Sequence, residues 1–561
     1  MQHLASRPWR LAALTLLTIL PTVSLGAQAG RGTLTGKITD GRNGAPLAGA
    51  RVTLGSSQIG ATSNASGVYR FVLPSGRSEV RFAAIGYGVR RDTVNVADGA
   101  TVTRDVSLER SAVTVSDIAV IGSRNADRTS VNSPVPVDIL TSADIKLSGR
   151  TETAQILQML APSFNFPRPS LTDGTDNSRP ATLRGLAPDQ VLVLVNGKRR
   201  HTSSLINLNP SIGRGSGLVD LNAIPSSSID HIEILRDGAA AQYGSDAIAG
   251  VINIVLKGNS ANEFTVQGGS YSTTFKSIAD PDRKLTDGQS ITASGNYSLA
   301  LGQDGFATLS VEYRDRDFTN RSSSDGRNQY FGNDPKNTNP QFNNLVNHRF
   351  GDPKTRDAVG FLNVAKKVGS NAEFYSTLGY ADRNGDAAGF FRRSRDDRTI
   401  RTIYPDGFLP LIESTVKDAS ALGGVRGSAG QFRYDASVTW GRNSYRFDIN
   451  NTANASLGAA SPTSFYAGTM GFNQVTTNLD LVRQFGIGAA TPLNVAFGAE
   501  FRRDGYSIKS GEEGSYIDGG VRVLDSLGNP TTRLAAAGSQ VFPGFRPTDV
   551  TNENRSNVAG Y

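Results

Sequence analysis

The residues of this chain best suited to chemistry are cations and amides, not nucleophiles. Arg199, Arg200, His201, Asn207, Asn209 and Arg214 cluster just after the apolar run VLVLVNG. Guanidinium forks and carboxamides hold anions and polyhydroxylated molecules through several hydrogen bonds at once. The stretch therefore suits recognition of an anionic chelate or a carbohydrate, and a plain solvated loop has the same composition. Catalysis has little material to work with. Cys is absent, which removes disulfides, thiolate metal sites and cysteine nucleophiles together. The four His (His3, His201, His231 and His348) are dispersed. His231-Ile232-Glu233 imitates an H-x-E signature, but a zinc deaminase needs Cys partners. No HExxH occurs, and Gly213-Arg214-Gly215-Ser216-Gly217 lacks the GK[ST] of a phosphate-binding loop. The expectation is a non-enzyme with no resident metal or cofactor.

The elements that must position the cationic stretch form an exported, mainly β chain. At 561 residues several domains are expected. Arg7 and Arg10 precede the apolar run LAALTLLTIL at 11–20, and Ala27-Gln28-Ala29 fits a small-x-small cleavage site, so residues 1–29 read as a signal peptide. That run is well short of the ~20 residues of a spanning helix. The formal charge of +8 is mild for this length, and no dense Lys/Arg block with interleaved aromatics is present, so nucleic acid is not an expected partner. Residues 30–110 alternate in short runs such as LTGKI, ARVTL, VYRFVL, EVRFAAI and TVTRDVSL, separated by Gly and Pro turns. About seven strands at this spacing predict a small β-sandwich.

Residues 129–258 mix helix and strand. VPVDIL reads as a strand, TSADIKLS and TETAQILQMLAP as helices with Thr141 or Ser142 and Thr151 as N-caps. RPATLRGL and VLVLVNGKRR read as strands, with Asn196-Gly197 as a hairpin turn. IDHIEILRDGAAAQYGSDAIAGVINIVLKG at 229–258 reads as strand, turn, short helical stretch and strand. The ordered series VPV, LRG, VLVLVNG, IEILRDG, YG and GVINIVLK resembles the plug domain of TonB-dependent outer-membrane receptors, although that family usually carries Asp-Gly where this chain has Asn196-Gly197. GKITDGRNGAPLAGARVTL, SGVYRF and GYGVRRDTVNV resemble the carboxypeptidase regulatory-like domain, a non-catalytic sandwich.

From about residue 259 the pattern changes to long strands of period two. Ile291, Ala293, Tyr297, Leu299 and Leu301 share one face, as do Phe432, Tyr434, Ala436, Val438 and Trp440, and again Leu493, Val495, Phe497, Ala499 and Phe501. One greasy and one polar face over about ten residues is the pattern of transmembrane barrel strands. Nine strands are expected, near 263–273, 290–301, 305–318, 357–367, 371–384, 418–428, 431–446, 474–485 and 491–508, with RSNVAGY (555–561) opening a tenth of about seven residues. Short and long connections alternate, as between periplasmic turns and extracellular loops. Plugged transporters have about 22 strands, so residues 259–561 read as the first part of a barrel and the chain as a piece of a longer product.

The resemblance implies outer-membrane location, membrane lipid and a small molecule as partners, and energised uptake of a scarce solute such as a ferric siderophore. An oligosaccharide receptor and a non-transporting surface or signalling protein are the alternatives. It further implies a TonB box in the linker 111–128, at Asp117, Ile118, Ala119, Val120 and Ile121, captured by TonB working with ExbB and ExbD. Glu233 and Arg236 are expected to bridge plug and barrel, and Arg199, Arg200, His201, Asn207, Asn209 and Arg214 to form the substrate-facing apex.

Overall fold

The computed structural model describes residues 30–561 except 42, 55–59, 85–89, 110–136, 208–211, 237–242, 245, 279, 303, 370 and 488–492. The expected signal peptide, the stretch Asp117–Ile121 and Asn209 lie outside the described residues, as does most of the helical stretch expected after Asp237. The described residues form two compact units, 30–109 and 137–561.

The first unit is a sandwich. Arg31–Asp40 pairs antiparallel with Val68–Pro74 and parallel with Thr101–Thr103 and Val106–Leu108. Gly60–Thr62, Arg51–Leu54, Gly76–Ala83 and Arg90–Val96 form the second sheet in that order. Period-two alternation sends Leu34, Ile38, Tyr69, Phe71, Val80, Phe82 and Val96 into the core between the sheets. The run TVTRDVSL, expected as one strand, is two short ones. The break falls at Arg104, whose carbonyl accepts the buried Tyr69 hydroxyl at 2.7 Å.

The second unit begins with the plug. Its sheet runs Lys198–Arg199, Val191–Val195, Gly250–Leu256, Ile229–Leu235 and Val137–Thr141, with Val191–Val195 and Gly250–Leu256 parallel. A strand buried on both faces carries a continuous apolar run, and all five residues of VLVLV are buried. Asn196 and Gly197 both have positive φ (50° and 77°), the conformation a two-residue hairpin turn requires. The run 179–186 differs from expectation: only Thr182–Leu183 is a strand, paired with Phe164–Asn165. Thr141 caps the helix Ser142–Leu147 through a capping box with Asp144. Thr151 does not cap the next helix, Thr153–Leu160. Glu152 occupies that position without a capping bond, and the Ala154 N–H is taken by Asn222 Oδ1 at 3.1 Å.

The rest is a single ten-stranded antiparallel sheet, Glu263–Phe275 through Thr551–Gly560, with each strand beside its chain neighbours apart from a small hairpin, Arg522–Leu524 with Pro530–Leu534, set in the last connection. Short connections at one end (369–371, 430–431) alternate with long ones at the other, here termed the outer end (317–353, 389–410, 451–463, 511–550). Ile291, Tyr297, Leu299, Leu309, Val438, Trp440, Leu479, Phe497 and Phe501 stand exposed on one face. Thr308, Ser310, Glu312, Arg314, Asp357, Arg383, Asp418, Asn443 and Arg502 are buried on the other, against the plug.

Several strands reach further outward than the sequence pattern suggested. Leu411–Ala429 begins seven residues before the expected 418, Ser464–Phe485 ten before 474, and Thr551–Gly560 spans ten residues rather than seven. The cause is an inversion of polarity. Near the outer end the apolar side chains Ile412, Val416, Tyr445, Phe447, Ile449, Ala467 and Met470 point inward as a buried cluster, while Glu413, Lys417, Arg442 and Arg446 face out. A reading that follows one greasy face loses the strand where the greasy face changes sides.

The exposed apolar face is lipid-facing by its pattern. Leu479→Arg is expected to cost ~2–4 kcal/mol of folding stability in vesicles, whereas Lys417→Ala, on the same face but above the apolar band, should stay within about 0.5 kcal/mol. Urea unfolding followed by tryptophan fluorescence measures both.

Candidate functional site

The plug is fixed to the sheet by polar groups buried between them. The hairpin at Asn196-Gly197 delivers Lys198, Arg199, Arg200 and His201 to the sheet in quick succession. Arg200 pairs with Asp418, and His201 Nε2 lies 2.8 Å from the same carboxylate. Asn443 Nδ2 donates to Asp418 at 2.9 Å, while its Oδ1 accepts from the Ser204 N–H and hydroxyl, each at 2.8 Å. All of these residues are buried. The His201 ring can approach the strand this closely because position 441 is glycine: a Cβ there would stand 2.1 Å from Nδ1. Burial outweighs the attraction of Asp418 and lowers the His201 pKa, so the ring is neutral at neutral pH and Nε2–H is the donor.

Neighbouring contacts repeat this arrangement. Lys198 reaches Asp435 at 3.1 Å and Asp480 at 3.4 Å. Arg199 and Arg502 share Asp246. Asn196 Nδ2 donates to Asn363 Oδ1 and Thr377 Oγ1, both at 3.2 Å, while its Oδ1 accepts the Leu256 N–H at 2.9 Å. An amide makes both kinds of bond, which an ionised Asp cannot; this accounts for the Asn where the resembled family usually has Asp.

A second group lies nearer the outer end. Arg383 bridges Asp220 of the plug, at 2.8 Å, and Asp357 of the neighbouring strand. Arg314 donates to the carbonyls of Thr151 and Asn222 at 3.2 and 2.9 Å. Glu312 accepts the Ser226 N–H and hydroxyl at 3.0 and 2.8 Å, and Glu152 pairs with Arg316. Burial alone would raise the Glu152 carboxyl, but Arg316, Arg179, Arg314 and Arg383 together hold it down at about 2.

The outermost plug segment is 168–179. Arg179 Nη2 lies 2.7 Å from Asp352, which Arg168 also engages. Tyr445 donates to the Gly174 carbonyl at 3.0 Å, and Asn177 Nδ2 to Ser414 at 2.9 Å. Thr172 Oγ1, Thr175 Oγ1, Asp176 Oδ1, Ser178 Oγ and Arg179 Nη1 are buried without a hydrogen-bond partner among the described residues. Burial pushes the Asp176 carboxyl up to about 7, against the pull of Arg179, and the Asp173 carboxyl up to about 6.

The expected roles are therefore redistributed. Glu233 is wholly buried in the plug sheet, where Asn253 donates to it at 2.9 Å and His231 stands at 3.5 Å; Arg236 pairs with Asp138. These pairings run within the plug, while 196–204, 220–226, 168–179, Glu152 and Lys257 bridge to the sheet. Arg199, Arg200 and His201 are not an open apex but buried clamps. Asn207 is buried too, its amide on the carbonyls of Ile212 and Gly213. Of the described members of that set only Arg214 is exposed. The segment SLTDGTDNSR (170–179) carries no chemical motif in the sequence; its run of small polar residues with Asp-Gly marks only a loop.

Residues 129–251 match the family model of the TonB-dependent receptor plug domain, and residues 33–109 that of the carboxypeptidase regulatory-like domain. The vitamin B12 transporter BtuB of Vibrio cholerae is 29% identical over 190 residues, 34% of this chain and 28% of that protein. The ferric enterobactin receptor PirA of Pseudomonas aeruginosa is 28% identical over 215 residues, 38% of this chain and 26% of that protein. The matched stretch thus spans about a quarter of these relatives' length. The crystal structure of the siderophore receptor PirA from Acinetobacter baumannii aligns with 66% of this chain and 48% of its own, at 18% identity and a TM-score of 0.45. The stretch 129–251 is thus similar to the plug of TonB-dependent receptors.

Two expectations follow. Asp418→Ala leaves Arg200 and the Asn443 amide buried without their acceptor, so the plug–sheet contact should weaken by ~3–5 kcal/mol; hydrogen exchange of residues 198–205 reads it. The docking of 168–179 should also depend on pH. A free Asp loses its proton near ~4, while docked Asp176 keeps it to about 7. The folded pKa is the higher, so docking is firmest at low pH, weakens as pH rises through that window and is level above it. Asp176→Asn should flatten the dependence, measured as exchange of this segment between pH 5 and 8.

Proposed function

We propose that this chain is part of an energised importer that takes up a scarce anionic chelate of the ferric-siderophore kind. The observation that carries the reading is the closed plug. Its polar clamps on the sheet include buried ion pairs at Asp418, Asp220 and Asp352. Parting such pairs costs several kcal/mol each, so a path for solute opens only when work is done on the plug. The outer membrane offers no ATP, so the work has to come from elsewhere. We assign it to TonB, acting with ExbB and ExbD, which would capture Asp117–Ile121 by β-strand addition. Two of the similar proteins are named for vitamin B12 and ferric enterobactin, which supports a bulky chelate as cargo.

The segment 168–179 is the sensor in this scheme. It combines Arg168 and Arg179, both on Asp352, with carboxyls at Asp173 and Asp176 that burial holds towards the neutral form. Its unpartnered hydroxyls and guanidinium nitrogen offer hydrogen bonds to a ligand arriving from the outer end.

Deletion of residues 117–121 from the full-length protein is expected to abolish accumulation of a radiolabelled ferric chelate while surface binding persists. Unchanged uptake would sink the energised reading. Expression induced by complex glycans and not by iron starvation would replace the chelate with an oligosaccharide.

A further inference from the structure

Segment 168–179 is the outermost part of the plug, yet Thr172, Thr175, Asp176 and Ser178 are each no more than 3% exposed. A solute arriving from the outer end cannot touch them until a neighbour moves. The strands are fixed in the sheet ladder, so the movable neighbours are the long connections. One of these, 511–550, sends its stretch 538–545 inward. Phe542 is buried and stacks on Phe447, with ring centroids 4.6 Å apart and planes 11° from parallel. Phe545 meets Phe542 and Phe447 edge-on, at 5.5 and 6.1 Å. Phe447 also borders the plug: a Cβ on Gly174 would stand 3.2 Å from its ring, and Leu205 of the plug is buried in the same cluster. One ring thus joins the outer connection to the plug's outermost segment.

The two sides of this contact are built differently. Behind Phe542 the stretch is tied by hydrogen bonds. The Gln540 N–H donates to the Ala453 carbonyl at 3.1 Å, its carbonyl accepts the Thr452 hydroxyl at 2.9 Å, and its side-chain oxygen accepts Arg392 Nε at 3.2 Å. The N–H groups of Ser539 and Phe545 donate to the carbonyls of Ser515 and Ala467 at 3.0 and 2.9 Å. Among the described residues no hydrogen bond runs from 538–545 to the plug, so that side is held by apolar contact alone. The backbone between the two sides is strained. Val541 has a φ of 77°, a region that β-branched residues avoid. Six described residues other than glycine have positive φ, and three of them are Asn, which tolerates it. Of the remaining three, Leu171 (59°) stands in the plug's outermost segment and Val541 in this stretch. Such strain and the burial of one ring are comparable in size, so the contact parts at small net cost.

We propose that 538–545 is a strained latch that closes the plug's outermost segment to ligand. Turning Val541 out of the left-handed region relieves its strain and withdraws Phe542 from Phe447, while the bonds at Gln540 and Ser539 serve as the pivot. The unpartnered hydroxyls of 172–178 then face the outer end, and a chelate that bonds to them holds the latch open. The proposal deepens the uptake reading and rests on it for the identity of the ligand.

The test uses the absence of Cys from the chain. T175C is introduced into the full chain, and its labelling by a membrane-impermeant maleimide is timed in detergent. Adding F542A should speed labelling roughly tenfold or more, because the latch loses its apolar hold. Adding V541G should slow it about threefold, because glycine adopts this φ without strain and steadies the closed position. A stretch that merely fills space gives no slowing. S228C, buried elsewhere in the plug at 3% exposure, should label at one rate with and without F542A. Labelling of T175C that F542A leaves unchanged overturns the proposal. So does V541G labelling as fast as T175C alone or faster, and so does equal acceleration of S228C, which would mean general loosening of the plug. No chelate and no TonB enter the assay, so failure of the uptake reading leaves its result untouched, and failure of the latch leaves the uptake reading standing.

Discussion

Charge buried between the plug and the sheet has to be neutralised, and the rest of the molecule is arranged around that requirement. A carboxylate such as Asp418 removed from water costs several kcal/mol unless it is paired and fully hydrogen-bonded. Arg200, His201 and Asn443 together supply those bonds. The same holds for Asp220 with Arg383, and for Asp352 with Arg179 and Arg168. Each cluster draws its members from both plug and sheet, so neither part is electrostatically complete alone. The strict register of the strands follows, because a slip of one residue would turn these side chains towards lipid.

The sheet therefore has two jobs that change along its length. In the middle its outer face is apolar for lipid and its inner face polar for the plug. Towards the outer end the order reverses: Tyr445, Phe447 and Ile449 pack inward with Leu205 and Phe542, and Arg442 and Arg446 look out. The inner aromatic cluster holds the plug's outermost segment in place, with Gly174 against Tyr445 and Phe447. The outward charges stand where headgroups and water replace acyl chains. A single alternating strand thus meets lipid, headgroup, plug and loop in turn, each by its choice of side chain at odd or even positions.

This arrangement bears on the gating that the proposed function requires. The clamps are of two kinds. Those at Asp418 and Asp220 are dry, directional and costly to break. Those at Lys198 and Lys257 are more open to water and give way at lower cost, since screening and rehydration offset the loss. The outer segment 168–179 adds a third element, a polar stretch whose own bonds are incomplete and whose carboxyls are poised near neutrality. A ligand that completed those bonds would alter the energetics where the plug meets the outer end of the sheet.

The order of parts was legible in the sequence because local patterning dictates it. The apolar run 191–195, the Asn196-Gly197 turn and the period-two faces ending at Trp440 and Phe501 are each fixed by neighbours in the chain. The sandwich was readable for the same reason, except that the run 101–108, expected as one strand, splits where Arg104 gives up its carbonyl to Tyr69. What sequence could not assign was partnership. Arg200 and His201 look like a solvent-facing apex when read next to Gly197 and Lys198, and they become buried clamps only because Asp418 and Asn443, more than two hundred residues away, are brought against them. Glu233 looks available until Asn253 is placed opposite it. The chain by itself determined which residues alternate and turn; the tertiary structure alone decided which charges are paired, because burial and pairing depend on side chains that are distant in sequence and adjacent only in the fold.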